Sequence, residues 1–176
     1  MKNFNNIYFI TLLIFTSFLY FLNAYFGAQY DSLHFYEFFK KVEDGEVLYE
    51  NYIAWHGPYI IYFFKLLTLI GVSDYFNFVL LGFFLQLLAG YLAVLFSKRI
   101  KIDIWVQNIS FLITFISFSF LFGFFYWDYY ASLCGFWGLY FFFIKNNNKV
   151  GVFLVTFTFF LKQSFGFAFI LLSLIF

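Results

Sequence analysis

The chain has 176 residues, of which 64% are hydrophobic and 31% aromatic, with a mean hydropathy of +0.86. Charged residues make up only 11%, against about 25% in ordinary soluble domains, which excludes a domain of that kind. A net charge of +1 gives no reason to expect a nucleic acid partner, and the single cysteine, Cys134, excludes an intramolecular disulfide.

The first apolar stretch, Ile7–Phe26, contains Asn23 as its only strongly polar residue. A run of this length at about 1.5 Å per residue covers the roughly 30 Å hydrocarbon layer of a bilayer. A cleaved signal peptide is the alternative, since Met1-Lys2 is a short basic start. The run exceeds a typical h-region, however, and Phe26-Gly27-Ala28 puts a phenylalanine where cleavage needs a small residue. An uncleaved span is expected.

The interval from Gln29 to Tyr62 holds six of the nine carboxylates (Asp31, Glu37, Glu43, Asp44, Glu46, Glu50), both histidines (His34, His56) and the only proline, Pro58. Only Lys40 and Lys41 oppose them. Asp31–Lys41 predicts a helix with Asp31, His34 and Phe38 on one face and Glu37 and Lys41 spaced for a pair on another. Asp31 or Ser32 would serve equally as an N-cap of that helix. Asp44-Gly45 reads as a turn with glycine left-handed. Glu46–Ala54 is expected to be irregular or briefly extended. Pro58 suits the first turn of a following helix, and His56 there is either a structural imidazole or a site residue. That helix, Tyr59–Ile70, has 12 residues, too few to span, and is expected to be interfacial or re-entrant.

Further spans are predicted at Tyr75–Phe96, Ile104–Tyr126 and Tyr129–Ile144, with apolar sequence again over Val150–Phe176. The last stretch is either one long helix with Lys162 near its middle, or a short span ending near Lys162 followed by the start of another. Basic residues favour the cytoplasmic side, which places Lys2, Lys98, Arg99, Lys101, Lys145 and Lys149 inside. Asp31, Asp74 and Asp128 then fall outside if Tyr59–Ile70 does not cross. Tyr25, Tyr30, Tyr126, Trp127, Tyr129 and Tyr130 cluster at the predicted outer boundaries, as interfacial aromatics do. The 35 phenylalanines need no more than a lipid-facing surface.

The expected architecture is all-α and polytopic, with about five transmembrane helices and an outer loop (residues 27–74) carrying short amphipathic helices. All of it forms a single transmembrane domain over residues 1–176. The abrupt stop at Phe176 within an apolar run leads us to expect the N-terminal part of a longer protein.

Lys162 is the other residue that stands out. A lysine within an apolar run costs about 2.5–3.5 kcal/mol on insertion scales and points to function by default; a snorkelling lysine at the end of a short span is the plainer explanation. Asp128 in its short turn is either a helix cap or a second acid. Carboxylate and imidazole at Asp31, His34 and Asp128 or His56 suit a divalent metal, although no tight ligand motif is present.

Several of these features together resemble the first outer loop of the C-superfamily glycosyltransferases, which include the protein mannosyltransferases and the aminoarabinose transferases. They are Asp31 after the first span, the segment Asp44-Gly45-Glu46-Val47-Leu48-Tyr49-Glu50-Asn51 (with Gly45, Tyr49 and Asn51 matching), and His56-Gly57-Pro58 ahead of an amphipathic helix. The basic end of the second span (Lys98, Arg99), Asp128 in the second outer loop and the Lys162-Gln163 step are also similar. The resemblance covers the whole chain but only the N-terminal part of such an enzyme.

It implies sugar transfer from a polyprenyl-phosphate donor to a hydroxyl or amine of a lipid, glycan or protein acceptor. The reaction would occur on the extracytoplasmic face of the plasma (inner) membrane, with the N-terminus in the cytoplasm. Asp31 would be the general base, and Lys162 with Gln163 would hold the leaving lipid phosphate. Asp128, His56 and Tyr49 would bind sugar, with a divalent metal as the only cofactor suggested. The rival class is a non-enzymatic multi-span component, either a transporter or flippase segment or a scaffold subunit. The near absence of ionisable residues in the spans before residue 145, where Gln86 is the main polar side chain, favours the enzyme.

Overall fold

A chain this rich in Leu, Ile and Phe, with its one proline at position 58, has little to interrupt helices except its polar joints. The computed structural model describes the backbone of residues 2–26, 30–46, 59–121 and 127–175. Within these it describes the side chains of all but 2–6, 30–33, 35, 59–60, 117–121, 127–129 and 175. The protein is all-α, and the described residues contain no strand. The helices are α1 (Lys2–Phe26), α2 (Tyr30–Glu43), α3 (Tyr59–Leu69), α4 (Tyr75–Arg99), α5 (Ile104–Leu121), α6 (Trp127–Leu139), α7 (Asn148–Leu161) and α8 (Gln163–Ile175), with a π-helical turn over Tyr140–Ile144.

Among the described residues, two helices are long and apolar enough to cross a membrane, Ile7–Phe26 within α1 and Tyr75–Arg99. The other apolar helices are shorter, so by this measure two of the expected five or so spans are present. The 11 residues of α3 extend about 16 Å, in keeping with a helix that does not span.

Three helices end in the same way. The second residue beyond the helix is left-handed, the N–H after it bonds back five residues, and an i→i−3 bond nests inside. At α2 these bonds are Glu46 N–H to Lys41 O (3.0 Å) and Gly45 N–H to Val42 O (3.3 Å). At α3 they are Val72 to Leu67 (2.9 Å) and Gly71 to Thr68 (3.0 Å), and at α4 Ile102 to Ser97 (3.1 Å) and Lys101 to Lys98 (3.2 Å). The left-handed residues are Gly45 (φ +84°), Gly71 (φ +88°) and Lys101 (φ +57°). The turn expected at Asp44-Gly45 is therefore present. A lysine in this conformation costs about 1 kcal/mol more than glycine.

The chain divides into two units. Unit 1 comprises residues 1–33 and 76–126 and has its core where α1, α4 and α5 meet. Tyr20, Phe78, Val79 and Phe115 are fully buried there. The Tyr20 hydroxyl donates to the Val79 carbonyl at 2.8 Å, and its ring lies 5.4 Å from that of Phe83, which in turn meets Phe115 at 5.6 Å. Burying that hydroxyl without an acceptor would cost about 1–3 kcal/mol. Gln86 of α4 is buried too. Gln107 ties the start of α5 to the preceding turn, its Nε2 donating to Ile102 O at 2.7 Å.

Unit 2 comprises residues 34–75 and 127–176. Phe38, Phe39 and Val42 of α2 are buried together with Phe64 and Leu67 of α3, and the Phe38 and Phe39 rings each lie 5.5 Å from Phe64. In turn α3 touches α7. The π-helical turn and the left-handed Asn146 (φ +51°) reverse the chain between α6 and α7, and the Asn147 side chain caps α7 by accepting from Val150 N–H at 3.3 Å. Small residues then allow close approach. A Cβ on Gly138 would lie 3.1 Å from Gly151 O, and one on Gly151 3.0 Å from Gly138 O, so the α6 and α7 backbones are in contact. Beyond Lys162, α8 folds back along α7, with the Phe159 and Phe167 rings 5.1 Å apart. It also packs on α6, where Phe136 and Phe169 meet at 5.0 Å.

Candidate functional site

The apolar stretch from Val150 onwards breaks at Lys162, which settles the choice between one helix and two. Lys162 has an extended backbone (φ −148°, ψ +108°). Its N–H donates to Thr158 O at 2.8 Å, closing α7, and its carbonyl accepts from Gly166 N–H at 2.9 Å, opening α8. One residue thus makes the whole corner. The Lys162 side chain is half-buried, while Gln163 and Ser164 are exposed.

Because α6 and α7 form a reversed pair and α8 turns back at Lys162, the start of α6, the end of α7 and the start of α8 all lie at one end of unit 2. Asp128, in the first turn of α6, and Lys162-Gln163 are therefore placed at the same end. Helix N-termini carry partial positive charge. Two of them beside a lysine can stabilise an anion, and Asp128 offers the first turn of α6 a complementary charge.

Asp31 is the second residue of α2. The helix already includes Asp31 and Ser32, so both occupy its first turn rather than the N-cap position weighed from sequence. The expected helix over Asp31–Lys41 is present and slightly longer. Its Phe38 is buried, as a core-facing position should be, while His34, one turn earlier, is exposed. The spacing suggested a Glu37–Lys41 pair; an ion pair in this helix joins Lys40 to Glu43. The Lys40 ammonium also donates to Ser73 O at 3.2 Å, and its hydrogen bond with the Glu43 carboxylate raises the lysine pKa above its ordinary value.

Tyr49 and His56 lie outside the described residues, as do Asn51 and Pro58 of the proposed motif. The same holds for the side chains of Asp31 and Asp128. Among the described residues no three His, Cys, Asp or Glu side chains are grouped to hold a metal. Sequence reading passed over Gly166, which permits the corner, and Lys101, whose conformation is unusual for its type; Gly166 four residues after Lys162 was the available signal for the first. No protein-family model, curated protein or solved structure matches the chain.

Proposed function

We propose that the chain is part of a multi-pass glycosyltransferase of the plasma (inner) membrane, moving a sugar from a polyprenyl-phosphate donor to an acceptor hydroxyl or amine on the extracytoplasmic face. Membrane placement is supported by exposure: 17% of the apolar stretch of α1 and 39% of that of α4 are buried, whereas the core helix of a soluble protein is mostly enclosed. The reading takes α5, α6 with its π-helical turn, and the α7 region as further spans, to give about five.

The observation that carries the enzymatic reading is the corner at Lys162. It sets a cation and two helix N-termini at one end of an apolar hairpin, where a departing lipid phosphate would need them. In the reaction the acceptor oxygen or nitrogen bonds to the anomeric carbon as the bond from that carbon to the phosphate oxygen breaks. Asp31 takes the acceptor proton, Lys162 and Gln163 hold the phosphate, and Asp128, His56 and Tyr49 position the sugar.

Replacing Lys162 tests this. In the full-length protein Lys162→Met should lower transfer about tenfold more than Lys162→Arg at equal protein level. Full activity in Lys162→Met would identify a snorkelling lysine and remove the phosphate role. The corner also suits a second reading, a transport or scaffold component, because interrupted apolar helices frame binding sites in transporters. That reading requires no sugar transfer in membranes containing the protein.

Topology gives a separate test. On a Cys134→Ser background, single cysteines at positions 44 and 74 should react with an impermeant maleimide from outside, and those at 98 and 145 only after permeabilisation. Labelling of position 44 from the cytoplasm alone would reject the orientation.

A further inference from the structure

The groove between α1 and α5 opens beside the densest positive charge in the chain. It measures about 360 Å³ and is lined by Tyr8, Phe9 and Leu12 from α1 and by Trp105, Asn108 and Leu112, among others, from α5, a size ordinary for a ligand site. The two helices run in the same sense, since Phe9 meets Phe111 (5.7 Å) and, further along both, Tyr20 meets Phe115 (6.5 Å). Their starts therefore lie at one end of unit 1. Lys98, Arg99 and Lys101, all exposed, precede α5 at that end, with Asp103 as the one carboxylate among them. From Trp105 to Leu112 the groove follows about 10 Å of helix, the depth of the upper part of an acyl chain.

Lys101 supplies an independent observation. The left-handed position it occupies is filled by glycine at the two equivalent helix ends, Gly45 and Gly71. Glycine would hold that backbone without strain, so a role for the lysine side chain would offset a cost of about 1 kcal/mol.

We propose that this groove binds an anionic phospholipid. The headgroup phosphate rests against Lys98, Arg99 and Lys101, an acyl chain lies along Phe9, Leu12 and Leu112, and the Asn108 amide donates to a glycerol ester carbonyl. The site depends on the membrane placement proposed above but is separate from the transfer chemistry, since it lies at the opposite end of α1 from Asp31. An apolar groove alone would accept a neutral lipid equally well; the basic rim is what discriminates.

The test uses the full chain in detergent with dioleoylphosphatidylglycerol or dioleoylphosphatidylcholine added, read by native mass spectrometry and by melting temperature. Wild type should retain phosphatidylglycerol in clear preference. Lys101→Gly should melt at or above the wild-type temperature without lipid, yet lose about fivefold of that preference, the worth of one cation near an anionic surface. Leu12→Trp, which fills the groove, should reduce binding of both lipids. Equal binding of the two lipids by wild type, or an unchanged preference in Lys101→Gly, would overturn the proposal. So would a dimer that Leu12→Trp dissociates, which would put a second copy in the groove. Membrane fractionation separates the two levels of failure. Recovery in the soluble fraction removes the membrane placement, whereas a membrane-bound chain with no lipid preference removes only this site.

Discussion

Asp31→Asn should reach the wild-type level in membranes and transfer sugar about 10²- to 10⁴-fold more slowly, the usual worth of a general base. Asparagine nearly matches aspartate in size, so the backbone of α2 is expected to persist. The change does remove a negative charge from the first turn of a helix, where it is worth about 0.3–1 kcal/mol. That loss alone would shift stability slightly and leave the rate per folded molecule untouched. Asp44→Asn is the control, because Asp44 is exposed in the turn that follows α2, and its variant should transfer at close to the wild-type rate. Rates per molecule that agree between the Asp31 variant and wild type would reduce Asp31 to a favourable first-turn residue and remove the base from the mechanism.

Gly166→Ala should be the most destabilising single-methyl change in unit 2. Its Cβ would lie 2.1 Å from the Phe159 Cα and 2.6 Å from the Phe159 N. These are backbone atoms, so no rotamer change can relieve the overlap, and α8 would have to lift from α7 as a body. Overpacking of a close-packed site costs about 1–3 kcal/mol, with backbone clashes at or beyond the upper end. Gly71→Ala provides the comparison. Its φ is +88° and nothing stands within 4 Å of the new methyl, so it should lose only about 1 kcal/mol through backbone strain. Both can be measured by unfolding purified protein in increasing dodecyl sulfate. If Gly166→Ala proved as stable as Gly71→Ala, the corner at Lys162 would not be packed as described.

Much of the helical framework was legible because the signals are local. Apolar runs bounded by charge located α1 and α4 to within a few residues. Asp44-Gly45 located the end of α2 because a left-handed residue there favours glycine, and the apolar run Tyr59–Ile70 located the short helix α3. What escaped depends on tertiary contact. Lys162-Gln163-Ser164 contains neither proline nor glycine, so the sequence left open whether the apolar stretch ran on or broke at Lys162; it breaks where Gly166 lets α8 settle on the backbone of Phe159. That fold-back leaves α7 and α8 with 14 and 13 residues, about 20 Å each, and hydropathy alone does not register such a division. Lys101 was equally hidden, since lysine gives no hint of a left-handed backbone.

The candidate site divides in the same way. Asp31, Asp128 and Lys162 stand out in sequence simply as charges in an apolar chain. The close Gly138–Gly151 approach that pairs α6 with α7 is what no spacing rule suggests. The Lys40–Glu43 pair was not drawn from the sequence, because i,i+3 and i,i+4 spacings offer each lysine of α2 more than one carboxylate.

A one-residue corner also constrains how this chain can change length. One extra residue at Lys162 would turn α8 by about 100°, carrying Phe169 away from Gly135, whose missing side chain makes room for that ring, and Gly166 away from Phe159. Insertions and deletions should therefore be purged at this corner and tolerated at Lys145–Asn147, where exposed polar residues join α6 to α7. In the coding sequence, the codons around Lys162 should change by substitution while their number stays constant.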